Sequence, residues 1–497
     1  MVLMVRAALA PPAAAIAAIL ALAGAIGAPA SAGATDDDPR LIALEHAGEH
    51  GLLATDYDVE QLRTLAAGPD VDHNPEFHRL LEAAYGRYSR DVSHGRVTPT
   101  LGDPDWHIPA RPPFTDPTSA QPPAHPQYGL LQQALTRYLA IERGGGWPSV
   151  PAGATLRLGT RDARVAVLRD RLRASGDYRA EMQADPWFFD TGLDGALRRF
   201  QAQHDLEATG RLDERTLGYL NVPAAARAEQ LAAVLERWRW LPPAFGSRYV
   251  WVNTATTTLD VFAHGQREFS MRTIVGHASR PTPSLASDVR QVVFNPSWSV
   301  PYTIAVEDLL PRQQEDPGYL ARHAIRVLTG TPESPRELDP ARIDWAALGP
   351  GRFPYRLRQD AGPGNSLGRI KLAMDNPFDI YLHDTPARGL FDLTSRTLGS
   401  GCVRLEDAAR FTTFLLAGDR EWTAADTEAR IASGRTTTLN LQHTLPIWIV
   451  YLTAWADEDG TVNFRRDVYG WDARLLAALR APRTAATETA GTRRAQP

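Results

Sequence analysis

Phe378-Asp379-Ile380-Tyr381-Leu382-His383-Asp384-Thr385-Pro386 and Gly399-Ser400-Gly401-Cys402-Val403-Arg404-Leu405 form one block of the chain, separated by a short connection through Phe391 and Arg396. The first six residues alternate in character. A strand over 378–383 would send Phe378, Ile380 and Leu382 into a core and Asp379, Tyr381 and His383 to the opposite face. Asp384-Thr385-Pro386 then turns the chain. After the glycine-rich stretch a helix is predicted from about Glu406 to Leu416, with Ala408, Phe411 and Leu415 inward and Gly418 as its stop. That order would put Cys402 just ahead of a helix N-terminus.

Cys402 is the only cysteine in 497 residues. It cannot close an internal disulfide, and a free thiol outside the cytoplasm is open to oxidation, so its presence asks for a chemical reason. An inert buried thiol is the alternative, since free cysteine is a good core residue. A free thiol with a pKa of ~8.5 is only a few per cent thiolate at neutral pH. A nearby imidazole and a helix N-terminus could lower that value, raising the thiolate fraction. Glu406 and Asp407 in the first helical turn work against this, which leaves most of the activation to His383. Gly401 permits a tight turn, and the main-chain N–H groups of Gly401 and Cys402 can form an oxyanion hole.

Outward from this block, period-two patterns mark strands at 249–252, 258–262, 273–275, 292–294, 378–382 and 447–451. Between Tyr302 and Arg358 the chain turns helical and proline-interrupted, with Leu309, Leu310, Tyr319, Leu320, Ile325, Trp345 and Leu348 as apolar positions. An insertion this long inside a compact domain is commonly an active-site lid. The fold class is therefore α+β and multidomain: a helical N-terminal part, a three-helix module and a β-rich catalytic domain with a helical insertion.

Residues 1–32 have the layout of a secretory signal: Arg6, an uncharged stretch from Ala7 to Ile26, and the A-x-A site Ala30-Ser31-Ala32. The stretch could also remain as an uncleaved anchor, which would allow transient membrane contact. Residues 33–150 read as a helical domain, interrupted from Pro104 to Pro126 by a proline-rich loop. His46 and His50 have a spacing that can bind zinc, but no third ligand accompanies them, and no metal is expected. Residues 156–222 read as three helices, 223–245 as a linker helix, 246–475 as the catalytic domain with its insertion at 302–358, and 484–497 as a disordered polar tail. A net charge of −5 with no basic stripe argues against nucleic acid as a partner.

Two family resemblances rest on these residues. The series Gly159, Val165, Leu168, Leu172, Phe200, Gln201, Leu206, Gly210, Asp213 and Thr216 resembles the peptidoglycan-binding module, with Gly159 set further ahead of Val165 and a longer segment from Asp177 to Phe189. His383 with Ser400-Gly401-Cys402-Val403-Arg404 resembles the active-site motif of the L,D-transpeptidases, the YkuD catalytic domain. The likeness is closest to large Gram-negative members with a scaffold domain and an inserted lid, supported by Phe294 to Pro301 and Arg358 to Gly368. Ser400 stands where many smaller members carry histidine.

The resemblance implies an exported, periplasmic enzyme acting on peptidoglycan tetrapeptide stems without metal or organic cofactor. Cys402 would be the nucleophile, His383 the general base and acid, and the product a 3→3 cross-link. Tyr381 and Ser400 would line the site, and Trp298, Tyr302 and Asn365 would shape the cleft. Arg404 would either bind a substrate carboxylate or brace the loop through main-chain carbonyls. His277 falls in a stretch that the family shows near the site, but a catalytic role is not expected of it. The alternatives are an L,D-carboxypeptidase that hydrolyses the same thioester and a non-catalytic peptidoglycan-binding scaffold protein.

Overall fold

The computed structural model describes residues 38–68, 70–112, 121–179 and 185–483. The signal-like segment and the polar tail lie outside the described residues. The first described elements are α1 (Pro39–Glu45), α2 (Val59–Ala66), α3 (Pro75–His94), α4 (Pro99–Gly102) and α5 (Pro126–Arg143). Asn74 starts α3 by accepting from the N–H groups of Glu76 and Phe77, with Pro75 at the first helical position. Leu41, Leu44, Leu62, Phe77 and Leu81 close the core of this part. His46 and His50 are engaged elsewhere: His46 pairs with Glu49, and His50 bonds Tyr128 and Gln132. No group of residues suited to a metal is present among the described residues.

The next unit comprises α6 (Arg164–Ser175), α7 (Thr191–Gln203) and α8 (Glu214–Leu220). Asp190 caps α7 through the Leu193 N–H, and Asp213 caps α8 through the Thr216 N–H. Gln201 explains its own place in the sequence pattern. Its buried amide accepts from the Gly210 N–H and donates to the Arg211 carbonyl and the Thr216 hydroxyl, locking the loop between α7 and α8.

From α9 (Ala224–Trp240) the chain enters a mainly β region. Its strands are β1 (Arg248–Asn253), β2 (Thr258–Ala263), β3 (Gln266–Gly276), β4 (Leu285–Phe294), β5 (Trp298–Ser299), β6 (Ile325–Gly330), β7 (Pro335–Leu338), β8 (Arg356–Gln359), β9 (Ile370–Met374), β10 (Leu382–His383), β11 (Thr397–Gly399), β12 (Val403–Leu405), β13 (Thr437–Val450), β14 (Ala454–Ala456) and β15 (Val462–Phe464). Nine of them form one sheet in the order β11-β3-β12-β10-β9-β4-β13-β1-β2, and a further β2–β3 pairing closes it on itself. Helix α13 (Ala408–Ala417) packs Phe411, Leu415 and Leu416 into the sheet's core, and α14 (Ala424–Ala432) follows it.

The parts are not separate beads. Tyr128, Leu131 and Leu135 of α5 share a core with Leu231, Val234 and Leu235 of α9 and with Val450, Ala454 and Phe464 beside the β14–β15 hairpin. Arg237 of α9 is buried in an ion pair with Asp472 of the last helix, α15 (Trp471–Arg480).

Two expectations need correction. The strand over 378–383 is reduced to Leu382–His383, because Asp379 adopts a left-handed φ of +54° that breaks the extended run. Ile380 and Leu382 are buried as anticipated, but Phe378 is exposed and packs edge-on against His107. The insertion is not purely helical. It opens with α10 (Tyr302–Ile304), a π turn over Ala305–Leu309, α11 (Leu310–Glu315) and α12 (Tyr319–Arg322), then adds β6 and β7 to β8 and β5 in a small four-stranded sheet. Leu309, Leu310, Leu320, Ile325 and Trp345 bury one another there, so its apolar face is satisfied within the insertion.

Candidate functional site

Strand register assembles the site. On parallel β10 and β12, Leu382 lies opposite Val403 and His383 opposite Arg404. On antiparallel β9, Lys371 lies opposite His383. The Val403 N–H donates to the Tyr381 carbonyl at 3.1 Å, which extends the pairing one step back and sets Tyr381 beside Cys402. Paired residues share a face and residues two apart in a strand share one too. Lys371, Tyr381, His383, Cys402 and Arg404 therefore stand on one side of three adjacent strands, opposite the face packed on α13.

The Nδ1 of His383 lies 2.6 Å from the main-chain carbonyl of Asp384. Only an N–H can satisfy a carbonyl, so Nδ1 carries the proton and Nε2 keeps its lone pair. His383 is 5 % exposed. Burial, reinforced by the Arg404 and Lys371 charges, pulls its pKa down to about 3, so the ring is neutral across the physiological range.

The Cys402 thiol approaches the Asp379 carbonyl at 3.8 Å. Burial pushes its pKa above the ordinary 9.0, offset in part by hydrogen bonds from Tyr381 and by the Lys371 and Arg404 charges. This corrects the expectation of a thiol lowered by a helix N-terminus. Helix α13 starts only at Ala408, capped by Asp407, and β12 intervenes between it and Cys402. Nor can a neutral imidazole stabilise a thiolate by charge. Glu406 does not oppose ionisation as a free anion, because Arg272 engages its carboxylate through two nitrogens.

The loop before Cys402 is fixed by small residues. Gly401 has φ +105°, and a Cβ there would meet Ile380 Cδ1 at 3.1 Å. Its carbonyl accepts from the Thr282 hydroxyl at 2.6 Å, and Thr282 in turn accepts from the Gly276 N–H at 2.9 Å. Among the described residues, no hydrogen bond engages the N–H groups of Gly401 or Cys402.

The other anticipated residues divide. Trp298 is buried on β5 with its indole beside the Tyr381 hydroxyl. Ser400 accepts from Arg280 at 3.1 Å. The Arg404 guanidinium makes no hydrogen bond to a main-chain carbonyl among the described residues, so the bracing role has no contact behind it. Burial lowers its pKa from the usual guanidinium value, as expected of a cation without a carboxylate partner. Asn365 is 1 % exposed, and its amide bonds the Asp360 carbonyl and the Leu367 N–H, pinning its own loop. Tyr302 opens the insertion at the first residue of α10. It is 52 % exposed, and its hydroxyl accepts from the Gly351 N–H within the insertion. His277 holds the Gly399 carbonyl through its main chain and Ser279 through its ring.

Sequence reading missed three residues. Lys371 lies on β9, in a five-residue run that alternates weakly, with its ammonium 4.1 Å from the Tyr381 ring centre. Thr282 carries no local signal. Arg280 joins Asp308 and Glu307 of the insertion to Ser400.

Residues 247–423 match the family described as the L,D-transpeptidase catalytic domain, YkuD. Residues 40–135 match the "Scaffold domain", and residues 161–220 match the "Putative peptidoglycan binding domain". A Haemophilus influenzae protein described as "Putative L,D-transpeptidase" is 36% identical over 250 residues, covering 50% of this chain and 49% of that protein. The chain thus spans about half the length of the curated relative it matches. An L,D-transpeptidase (Yku) from Stackebrandtia nassauensis overlays 63% of this chain and 99% of its own at 13% identity and a TM-score of 0.21. One from Xylanimonas cellulosilytica overlays 60% and 98%, at 11% identity and a TM-score of 0.18. At such scores the overlays carry no structural argument.

Proposed function

We propose that the chain is an exported L,D-transpeptidase that forms 3→3 cross-links in peptidoglycan through a Cys402 thioester. The observation that carries this reading is the shared face of His383 and Cys402, with Nε2 of His383 left as the open base. The Cys402 sulfur attacks the carbonyl at the L-centre of diaminopimelate in a tetrapeptide stem, and its proton passes to Nε2. The oxyanion is received by the Gly401 and Cys402 N–H groups. The C–N bond then breaks, Nε2–H returns the proton to the leaving D-alanine amine, and a thioester remains. A side-chain amine of a second stem attacks it, giving a proton to Nε2, and the thiol re-forms.

Lys371 and Arg404 suit this scheme. Both charges favour a thiolate and an oxyanion and disfavour an imidazolium, so ion-pair formation is deferred until substrate arrives. Arg404 has the chemistry to receive a stem carboxylate. Tyr381, with Trp298 beside it, forms the wall of the site. The neighbouring module would hold the wall polymer, with the periplasm as the working compartment. Water in place of the amine would give an L,D-carboxypeptidase. The test is mass spectrometry of muropeptides after incubation with tetrapeptide stems. A 3→3 dimer supports the reading, tripeptide alone supports hydrolysis, and neither product leaves a non-catalytic scaffold protein.

A further inference from the structure

Away from Cys402, a cleft of about 350 Å³ opens between the three-helix module, α5, α9 and the β14–β15 hairpin. Arg137, Arg171, Arg179, Arg199 and Arg227 line it. Two of these are built into its wall. Arg171 is 2 % exposed and Arg227 is 7 % exposed, and neither forms an ion pair among the described residues.

Both guanidiniums are held in place without being neutralised. Arg171 lies 3.7 Å from the centre of the Trp147 ring, and its Nε donates to the Leu220 carbonyl at 2.7 Å. Its Nη1 is buried with no hydrogen-bond partner. Arg227 packs 4.6 Å from the centre of the Phe464 ring and donates to Gln230 at 2.9 Å. Burial lowers both pKa values to about 10, offset in part at Arg171 by the charge of Asp177, which forms no ion pair with it. Two acids also face the cleft, Asp177 and Asp459. Asp177 is bonded by the Ser175 hydroxyl, and burial raises its pKa, whereas Asp459 is exposed and held below the usual carboxylate value by bonds from Thr461.

An unpaired buried charge is costly, and it persists where something else requires it. We propose that this cleft is a second binding site, in which Arg171 and Arg227 take the carboxylate of a peptidoglycan peptide stem. The proposal rests on the function given above for the substrate class only. The cleft joins the module to the β14–β15 hairpin, so a bound strand would be held by both parts at once while another stem reacts at Cys402.

Calorimetric titration of the full chain in a Cys402→Ala background tests this, since the probe is then not consumed. The probes are disaccharide–tetrapeptide with free carboxylates, the same molecule with its carboxylates amidated, and inorganic phosphate. Arg171→Gln is expected to weaken the free-acid stem by about tenfold or more and the amidated stem by less than about twofold. Arg227→Gln, on α9 where Arg171 is on α6, should act in the same direction and carries the comparison if Arg171→Gln fails to fold. Equal weakening of both stems, or no weakening, overturns the proposal. Binding of phosphate with none of the acid stem also overturns it and assigns the cleft to phosphoryl ligands. Dimer formation by the Cys402 protein on the same stem is measured separately. Turnover without the arginine-dependent difference removes the cleft alone, and the difference without turnover removes the reaction alone.

Discussion

His383 and Asp384 are joined by a hydrogen bond in which the Nδ1–H of the ring donates to the carbonyl of the next residue at 2.6 Å. It fixes the tautomer, and burial beside Arg404 and Lys371 keeps the ring neutral down to about pH 3. The base form is then already complete at pH 5. The kcat/KM profile, which reports the free enzyme, should show no acid limb near pH 6.5 and should climb toward the ionisation of Cys402 above pH 9. An acid limb centred near 6.5 in steady-state rates would contradict the neutral-imidazole site.

Thiol reactivity separates charge from proton transfer. Lys371 and Arg404 favour the Cys402 thiolate, whereas His383 contributes no charge to it. Lys371→Met should move the midpoint of iodoacetamide alkylation to higher pH, and His383→Ala should leave it nearly in place. His383→Ala should still lower turnover by roughly 10²–10⁴-fold, the usual size of a lost acid–base group. A large shift of the alkylation midpoint in His383→Ala would restore the ion-pair picture.

Arg280 ties the insertion to the loop before Cys402, with Asp308 at 2.7 Å, Glu307 at 2.6 Å and Ser400 at 3.1 Å. If the insertion excludes water from the thioester, Arg280→Met should raise the ratio of tripeptide to cross-linked dimer. Replacing residues 302–358 with a Gly-Ser linker should raise it further. Chromatographic quantitation of the two products checks both, and an unchanged ratio in a folded protein removes the insertion from acceptor choice.

Glu236 and Arg239 are an ion pair at 2.6 Å with no exposed side-chain surface, and Glu236 also accepts from the Val97 N–H. Glu236→Ala leaves a buried guanidinium without its carboxylate and should cost about 3–5 kcal/mol. Urea unfolding followed by tryptophan fluorescence measures this. A loss under about 1 kcal/mol would mean that water reaches the pair.

Much of this was legible in the sequence. Cys402 and His383 stood out because a lone thiol, a glycine and a histidine in one block have few other uses. Gln201, Asp213 and Thr216 were legible because caps and loop locks act over short spans. Lys371, Thr282 and Arg280 were not, since each reaches the site through tertiary pairing that no local period reports. Asp379 misled the strand assignment because its left-handed turn leaves alternation intact on either side. The insertion's apolar residues read as helical because short strands such as β6 and β8 carry too few residues to establish a period of two.

Acyl transfer through Cys402 is tested most directly by intact-protein mass spectrometry within seconds of mixing the full chain with a tetrapeptide stem. A transient adduct equal in mass to the stem less D-alanine is expected, mapped to Cys402 and absent from Cys402→Ala. Turnover of the stem by Cys402→Ala, or an adduct on any other residue, would contradict it.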